Sequence, residues 1–389
     1  MAKKTLIIFI DALGYDLLKK TSFPPDLLNR TVKLIPNYGF GEAAVMWTGE
    51  LPEKTNRWTE FQYNPKFSPF RWTRFFPLGI FDILREKFSF KPLKYFDFGL
   101  RKVIELITTG SLSESFPSTY QIPLSKLRYF LPVHDWQTYQ FNSLNGYPTL
   151  FGILKERGIK YQYIGYPKVK TDYEVYKKSR EAIKECEVVI SFFSELDSIE
   201  HWHGKESIKV SKKINELSKF INDLINLFKK NNPKGSLIIF SDHGMSKVEK
   251  TIDLMTQIRK IGLKEGIDYL AFYDATLVRL WFFDQKSKRK IIEKLSTIKE
   301  GRIFQDNERK EAGLKFKNRA FGDIIFVVNP GIMISPNYFQ GKKIFNSVHG
   351  HCPPPPEEFA FFTTDQGIKL GAMMRIKDLF NVILNIINI

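Results

Sequence analysis

Aspartate and histidine residues recur at positions from which they could share one binding site. Asp11, Asp197 and Asp242 each follow a short apolar run of the chain. His243 is adjacent to Asp242, and His201 lies four residues after Asp197, a spacing that puts both side chains on one face of a helix. Mixed carboxylate and imidazole donors without thiolate suit zinc, manganese or iron. These residues indicate a metal site assembled from distant parts of the chain.

A further histidine, His349, lies in the segment His349-Gly350-His351 beside four consecutive prolines. Such a rigid loop could hold a ligand in place. An aspartate after an apolar run is more often a turn or helix N-cap residue, but three of them, two with histidine nearby, favour a shared site. Six donors suffice for two metal ions with three protein ligands each and open positions for substrate. The chain has only six histidines: His134, His201, His203, His243, His349 and His351.

The apolar runs before these aspartates have the character of strands buried on both faces. Residues 5–10, 187–196 and 236–240 are short and mainly apolar. Residues 207–230 show the apolar spacing of an amphipathic helix, and Pro-Lys-Gly at 233–235 ends it. A strand–helix–strand unit implies parallel strands, whose carboxyl ends share one edge of the sheet. We therefore expect the three aspartates to converge at that edge.

The chain resembles the alkaline phosphatase superfamily, and within it the type I phosphodiesterase/nucleotide pyrophosphatase group. The most specific matching stretch is Ser-Asp-His-Gly-Met at 241–245, which follows an apolar strand. The resemblance implies an α/β fold, a three-layer α/β/α sandwich with a mostly parallel sheet. The other matching stretches, in the family's order, are IIFID at 7–11, TGELP at 48–52, ELDSIEH at 195–201 and VHG at 348–350, with a further likeness over 270–283.

Residue roles also follow from this resemblance. The family's two ions clamp a phosphate ester and stabilise the attacking and leaving oxygens of an in-line displacement. The implied cofactors are two divalent metal ions, zinc or manganese above others. His203 and His351 each lie two residues from an implied ligand and could support it or face the same side. The implied ligands are Asp197, His201 and His349 for one ion, and Asp11, Asp242 and His243 for the other.

The family's nucleophile, a serine or threonine, is replaced in this chain. It stands nine residues before the Thr-Gly pair, at the position of Gly39. Because glycine has no hydroxyl, three accounts are open. A metal-bound hydroxide attacks directly; Glu42 or Tyr38 acts as nucleophile, general base or extra ligand; or the chain binds a phosphate compound without turnover. Gly39 and Gly41 could also form a tight bend whose amides bind an anion.

The chain is predicted to be a single catalytic domain, 1–389, with two distinctive segments. Residues 61–145 are rich in aromatic residues and proline and are predicted to form a cap-like insert that packs its aromatic side chains onto the core. Residues 266–340 are predicted to form a small α+β subdomain. The apolar residues 376–389 are too few to span a bilayer and are predicted to form a core-facing helix.

Composition and net charge exclude some classes of protein and favour some binding partners over others. With 43% hydrophobic and 26% charged residues, the chain is neither disordered, collagen-like nor a coiled coil. The net charge of +17 is compatible with an anionic substrate, a nucleic acid or an anionic membrane surface. The lysines are scattered, however, and helix-turn-helix, zinc-finger and RNP-like patterns are absent, which disfavours nucleic acid. Two cysteines and an N-terminal apolar run shorter than a signal peptide predict a cytoplasmic protein without a transmembrane segment.

The predicted function is that of a metal-dependent phosphoric ester hydrolase, similar to a phosphodiesterase or nucleotide pyrophosphatase, with a two-metal site. Its expected partner is a small-molecule phosphate ester or nucleotide. The alternative is a catalytically silent relative that binds a phosphorylated metabolite or glycan. The intact set of six donors favours the enzyme.

Overall fold

A seven-stranded sheet with helices on both faces lies at the centre of the computed structural model, which describes residues 3–40, 42–88, 91–109, 121–133 and 138–389. Gly41, His134 and parts of the predicted insert (89–90, 110–120 and 134–137) lie outside the described residues. The strands are β1 (Thr5–Ile10), β2 (Val32–Ile35), β3 (Phe61–Tyr63), β4 (Phe130–Pro132), β5 (Ser143–Leu144), β6 (Tyr147–Pro148), β7 (Tyr161–Ile164), β8 (Val188–Phe193), β9 (Ser236–Phe240), β10 (Ser246–Lys247), β11 (Lys250–Ile252), β12 (Tyr269–Tyr273), β13 (Leu277–Phe282), β14 (Gly301–Ile303), β15 (Ile324–Val328), β16 (Ile332–Ile334), β17 (Ser347–Val348), β18 (Ala360–Thr364) and β19 (Met373–Arg375). The helices are α1 (Pro25–Leu28), α2 (Glu42–Thr48), α3 (Pro52–Thr55), α4 (Leu78–Lys87), α5 (Lys91–Thr109), α6 (Leu150–Glu156), α7 (Asp172–Glu185), α8 (Glu195–His203), α9 (Ile208–Asn231), α10 (Leu254–Arg259), α11 (Gln285–Ser296), α12 (Asp306–Glu311) and α13 (Leu379–Ile387).

Parallel strands form the half of the central sheet that carries the predicted site. Strand β1 lies between β8 and β9 and is parallel to both, and β7 extends this group beside β8. On the other side, β18 is antiparallel to both β9 and β2, and β19 is parallel to β2. The full order is β19-β2-β18-β9-β1-β8-β7. The predicted α/β fold with a mostly parallel sheet is confirmed.

Two apolar cores cover the two faces of this sheet. Along β1, Leu6, Ile8 and Ile10 point into one core, and Ile7 and Phe9 point into the other. Helices α7 and α9 cover the first face, while α2, α6 and α13 cover the second. Because side chains alternate along a strand, a run that is apolar at every position needs cover on both sides. Each fully buried Leu, Ile or Phe stabilises such a layer by about 1.5–3 kcal/mol.

The helix predicted over 207–230 is present as α9, which covers Ile208–Asn231. Ser207 caps it, because its side chain accepts a hydrogen bond from the Val210 amide. The C-terminal helix α13 buries Leu379, Phe380 and Ile383 against the sheet, as predicted for the end of the chain. In the described part of the chain, every helix is too short or too polar to cross a membrane.

A second sheet is antiparallel and has the strand order β12-β13-β15-β14. It shares an apolar core with β3, β4 and residues between them, and β3 and β4 pair in antiparallel fashion although they are distant in the chain. The Phe61 and Phe130 rings lie 5.4 and 5.0 Å from that of Phe272. Phe61 and Phe130 therefore pack on this second sheet, whereas other aromatic side chains of 61–145, such as Phe75 and Tyr95, are exposed. The division into a cap and a small subdomain stays a prediction.

Candidate metal centre

Two strand ends bring the first group of donors together. Asp11 follows β1 directly, and Asp242 and His243 follow β9. The Ala12 amide donates to Asp242 Oδ1 at 3.2 Å, and the His243 amide donates to the same oxygen at 3.0 Å. These hydrogen bonds link the carboxyl ends of adjacent parallel strands. Of the three aspartates expected to converge at the sheet edge, Asp11 and Asp242 therefore lie together there.

His243 directs one ring nitrogen towards both carboxylates. Its Nε2 lies 3.6 Å from Asp11 Oδ1 and 3.5 Å from Asp242 Oδ2. Its Nδ1 lies 3.1 Å from the carbonyl oxygen of Gly244. Since a carbonyl oxygen can only accept, Nδ1 carries a hydrogen, and Nε2 is the ring nitrogen directed at the carboxylates. A histidine that binds a metal ion is commonly held in this way.

The second group of donors combines helix α8 with the end of β17. Asp197 and His201 lie one turn apart on α8, and His201 Nε2 is 3.4 Å from Asp197 Oδ1. His201 Nδ1 donates to the carbonyl oxygen of Ser347 at 2.8 Å, so Nε2 is the ring nitrogen directed at Asp197. His349 Nε2 lies 3.9 Å from the same Asp197 oxygen.

A pair of very short strands brings His349 to the sheet edge. Strands β10 and β17 pair in antiparallel fashion with Ser246 opposite Val348, so the residues before β10 meet those after β17. The His243 and His349 rings stack with centroids 3.7 Å apart and planes within 7°. The two groups of donors are therefore adjacent, with these imidazoles between them.

The spacing of the donors fits divalent ions. Within each group, one atom per residue can be chosen so that all three lie within 4.8 Å of one another. Ligands about 2.1 Å from a tetrahedral ion lie about 3.4 Å apart. In the described part of the chain, the buried atoms Asp197 Oδ1 and His349 Nδ1 have no hydrogen-bond partner. Because a buried polar atom without a partner is costly, these atoms indicate a group that the protein alone does not supply.

The pKa shifts of the donor residues also favour a bound cation. Burial, followed by the charges of Asp242 and Asp197, raises the pKa of Asp11 well above its ordinary value. Burial also raises the pKa of Asp242. Burial, with His243 and His201 close by, lowers the pKa of His349 well below its ordinary value, so the ring is neutral. Carboxylates that repel one another beside the neutral imidazole of His349 are the surroundings that a bound cation stabilises.

A cavity of 410 Å³ opens over both groups of donors. This volume lies within the range for small-molecule sites. All six donors line it, and Glu42 and Asp274 add further carboxylates. Its apolar wall is mainly aromatic: Phe9, Phe40, Trp58, Tyr139, Tyr166, Phe192 and Phe339.

The backbone at Gly39 has the left-handed conformation that favours glycine, with φ at +83°. A Cβ there would lie 3.0 Å from two ring atoms of Trp58. This indole is fixed, because its Nε1 donates to the Tyr38 carbonyl oxygen at 2.6 Å. A Cβ on Gly350 would lie 2.7 Å from the Gly39 carbonyl oxygen. The position predicted to correspond to the family's nucleophile is thus one whose backbone and neighbours suit glycine.

The two residues predicted to compensate for Gly39 lie in different surroundings. Glu42 is the first residue of α2, is only 6% exposed and lines the cavity. Its charge is among those that raise the pKa of Asp11. The Tyr38 ring packs against Phe304 at 6.0 Å, and burial raises its pKa. The structure places Glu42 beside the metal-ligand candidates, and the catalytic roles of both residues stay predictions.

Glu358 is a buried residue that the sequence patterns did not single out. Its Oε2 accepts from the amides of Gly350 and His351 at 3.0 and 3.1 Å, and its Oε1 accepts from Ser246 Oγ at 2.8 Å. Its carboxylate also contacts the ring of the fully buried His351. His351 and Glu358 thus fix the loop that carries His349. His203, in contrast, is exposed on α8.

A mostly parallel α/β sheet with paired Asp/His clusters at its edge defines a metallohydrolase architecture. The family model for type I phosphodiesterase / nucleotide pyrophosphatase matches residues 128–351, more than half of the chain. The chain therefore belongs to this family of phosphoric ester hydrolases, within the alkaline phosphatase superfamily. The family generally uses divalent metals. The matched residues include every candidate ligand except Asp11, which precedes them.

Solved structures show the same fold over the whole chain. Human ectonucleotide pyrophosphatase / phosphodiesterase 5 matches with a TM-score of 0.67 and 15% identity, covering 100% of this chain and 95% of its own. The murine protein of the same name, as an inactive variant in complex with AMP, matches with a TM-score of 0.67, 14% identity and the same coverage. At this identity the likeness concerns the fold alone. A comparison with curated proteins gives no match.

Proposed function

We propose that the chain is a two-metal phosphoric ester hydrolase that acts on a phosphodiester or a nucleotide-type substrate. The observation that carries this proposal is the pair of three-donor groups, each with its atoms within 4.8 Å, at the floor of one cavity. The proposed ligands of one ion are Asp197, His201 and His349, and those of the other are Asp11, Asp242 and His243.

The chain's own residues prepare these ligands. Carbonyl oxygens of Gly244 and Ser347 hold the Nδ1 hydrogens of His243 and His201, so that both rings present Nε2. Divalent ions, when bound, polarise phosphoryl oxygens and lower the pKa of bound water. Zinc and manganese suit carboxylate and imidazole ligands without thiolate.

Water, rather than a side-chain hydroxyl, is the proposed nucleophile. Gly39 supplies no hydroxyl, and Trp58 occupies the space that a side chain would need. Glu42 is the proposed general base, because it is a buried carboxylate in the cavity wall near Asp11. Attack by water gives the hydrolysis products directly, without a phospho-enzyme.

The cavity wall favours a substrate with a flat apolar part. Tyr139 stacks on Tyr163 at 4.4 Å and, with Trp58 and Phe192, faces the cavity. Aromatic rings of this kind stack on nucleobases. The murine relative of the same fold binds AMP. A nucleotide or a nucleoside diester is therefore the proposed substrate class.

The second candidate is a protein that binds a phosphorylated metabolite or glycan without turning it over. The structure at Gly39 favours it, since the site has lost the family's hydroxyl and the surrounding chain is fitted to that loss. Both candidates require the same metal ions, so metal binding alone does not separate them.

Turnover separates the two candidates. The purified chain, stripped of metal and then supplied with zinc or manganese, should hydrolyse aryl phosphodiesters or nucleotides. Asp242→Asn should lower the rate by more than about a hundredfold, because a ligand of the site is lost. The matched control is Asp306→Asn, since the Asp306 side chain is 88% exposed and remote from the ligands. Metal uptake without turnover across a broad set of phosphate esters would contradict the hydrolase and support the binding protein.

A further inference from the structure

Large apolar side chains are exposed on helices α4 and α5 and at the residue that follows α4. Six of them, each between 51% and 63% exposed, are called the apolar face: Ile80, Ile83, Phe88, Phe96, Phe98 and Ile107. Large contiguous exposed apolar surfaces on a folded protein mark an interaction site more often than they mark bare surface.

The inner side of the same two helices carries buried charges beside apolar residues, such as Ile104 and Leu100, that pack on the core of the second sheet. Asp97 and Arg101 are 8% and 5% exposed, and Arg101 Nε lies 3.0 Å from Asp97 Oδ1. Arg85 of α4 joins them, with its Nε 3.2 Å from Asp97 Oδ2. Asp82 accepts hydrogen bonds from the amides of residues 124 and 125 at 2.8 and 2.9 Å. A helix in water normally turns its charges outward, whereas here charged side chains are buried and large apolar side chains are exposed.

Within residues 61–109, the segment that contains the apolar face, the exposed charges of the described side chains are positive. Among the described side chains of α4 and α5, only Lys87 is both charged and exposed, and none of the described carboxylates in residues 61–109 is exposed. The preceding segment adds the exposed Lys66, Arg71 and Arg74, and the Arg74 guanidinium lies 4.7 Å above the Phe75 ring. Aromatic and basic side chains together suit the headgroup region of an anionic bilayer.

We propose that the apolar face docks on a phospholipid bilayer that contains anionic headgroups, with α4 and α5 lying in the interface. The described helices are too short or too polar to span the bilayer, so the contact is a surface one. A second copy of the chain is a poorer occupant, because the same positive side chains would face one another across the contact. This proposal concerns a surface outside the metal centre and does not depend on catalysis.

Vesicle flotation of the full chain tests the proposal. The vesicles are phosphatidylcholine alone, or phosphatidylcholine with an equal amount of phosphatidylglycerol. The test variant replaces Ile80, Ile83 and Ile107 by glutamine. The matched control replaces Ile208, Ile267 and Ile344, which are 75%, 68% and 57% exposed and lie elsewhere, also by glutamine. Circular dichroism and thermal unfolding verify that both variants fold.

The parent chain and the control should float with the anionic vesicles, and the test variant should bind them more weakly by about tenfold or more. Replacing Lys66, Arg71 and Arg74 by glutamine should reduce binding to anionic vesicles and its sensitivity to salt. Flotation of the test variant equal to that of the parent would overturn the proposal, as would a parent that floats with neither vesicle. A dimer in sedimentation velocity that the test variant converts to a monomer would assign the face to self-association instead.

Discussion

The side chain at position 39 is constrained both by the backbone and by a neighbouring ring. The φ of +83° disfavours any residue with a Cβ, and Trp58 lies 3.0 Å from where that Cβ would be. Trp58 is itself buried and hydrogen-bonded to Tyr38. A hydroxyl therefore cannot be restored here by one substitution while its surroundings stay as they are.

Substituting serine at this position should destabilise the protein without improving it as an enzyme. Gly39→Ser should lower the free energy of unfolding by about 1–3 kcal/mol, because of backbone strain and the contact with Trp58. Gly146→Ser is the control, since Gly146 has a similar φ of +87° but open space around its Cβ position. Urea unfolding measures both. A Gly39→Ser variant as stable as the control and faster in turnover would contradict this account.

Some residues of the candidate site can be predicted from the sequence, and others cannot. Asp242 and His243 follow an apolar strand directly, so their pattern is local and readable. Glu358 shows no such pattern, because its partners Ser246 and His351 reach it only after the chain has folded. The indole that covers Gly39 comes from a residue 19 positions later, for the same reason.

Among the elements, the loop from 349 to 358 depends on one buried carboxylate. Glu358→Gln would keep the size of the side chain but replace one acceptor oxygen by an amide that donates. The hydrogen bonds to the replaced oxygen would then be lost, either those from the Gly350 and His351 amides or that from Ser246, and His349 would be less well held. We expect metal affinity, measured by calorimetry, to fall by about 10–100-fold. The control is Glu357→Gln on the neighbouring exposed residue. Unchanged affinity in Glu358→Gln would show that the loop holds His349 without this carboxylate.

The hairpin of β12 and β13 contains a fully buried ion pair. Arg279 Nε lies 2.9 Å from Asp274 Oδ2, and both side chains are 0% exposed. Burial raises the pKa of Asp274 to about 6 although Arg279 opposes it. Arg279 also donates to the Phe61 carbonyl oxygen and so ties the start of β3 to the hairpin.

Removing one charge of this pair should destabilise the protein more than removing both charges. Arg279→Met should lower the free energy of unfolding by about 3–5 kcal/mol, since a buried carboxylate is left alone. Asp274→Asn combined with Arg279→Met should recover part of that loss. Denaturant unfolding of the two single variants and the double variant gives the coupling. Strictly additive losses would contradict a direct interaction.

Elements with a strong local period were predictable, and their long-range partners were not. The apolar spacing of 207–230 predicted α9 to within one residue at each end. The aromatic residues of 61–145 predicted packing onto a core, but periodicity carries no information on which sheet they meet. Phe61 and Phe130 meet Phe272, more than 140 residues later.

On the scale of the whole molecule, the candidate metal centre depends on the complete fold. The candidate ligands come from the ends of β1 and β9, from α8 and from the residue after β17, which only the folded sheet brings together. The sequence predicts this convergence because parallel strands share their carboxyl edge. It does not predict the stacking of His243 on His349, which depends on the pairing of β10 with β17.

Anomalous diffraction from crystals loaded with manganese or zinc shows directly whether two metal ions bind to the chain. Two peaks are expected per chain. One should lie within bonding distance of Asp197, His201 and His349, and the other within bonding distance of Asp11, Asp242 and His243. Crystals of Asp242→Asn should lose or weaken the second peak and keep the first. Loaded crystals without a peak at either group of donors would contradict the two-metal site.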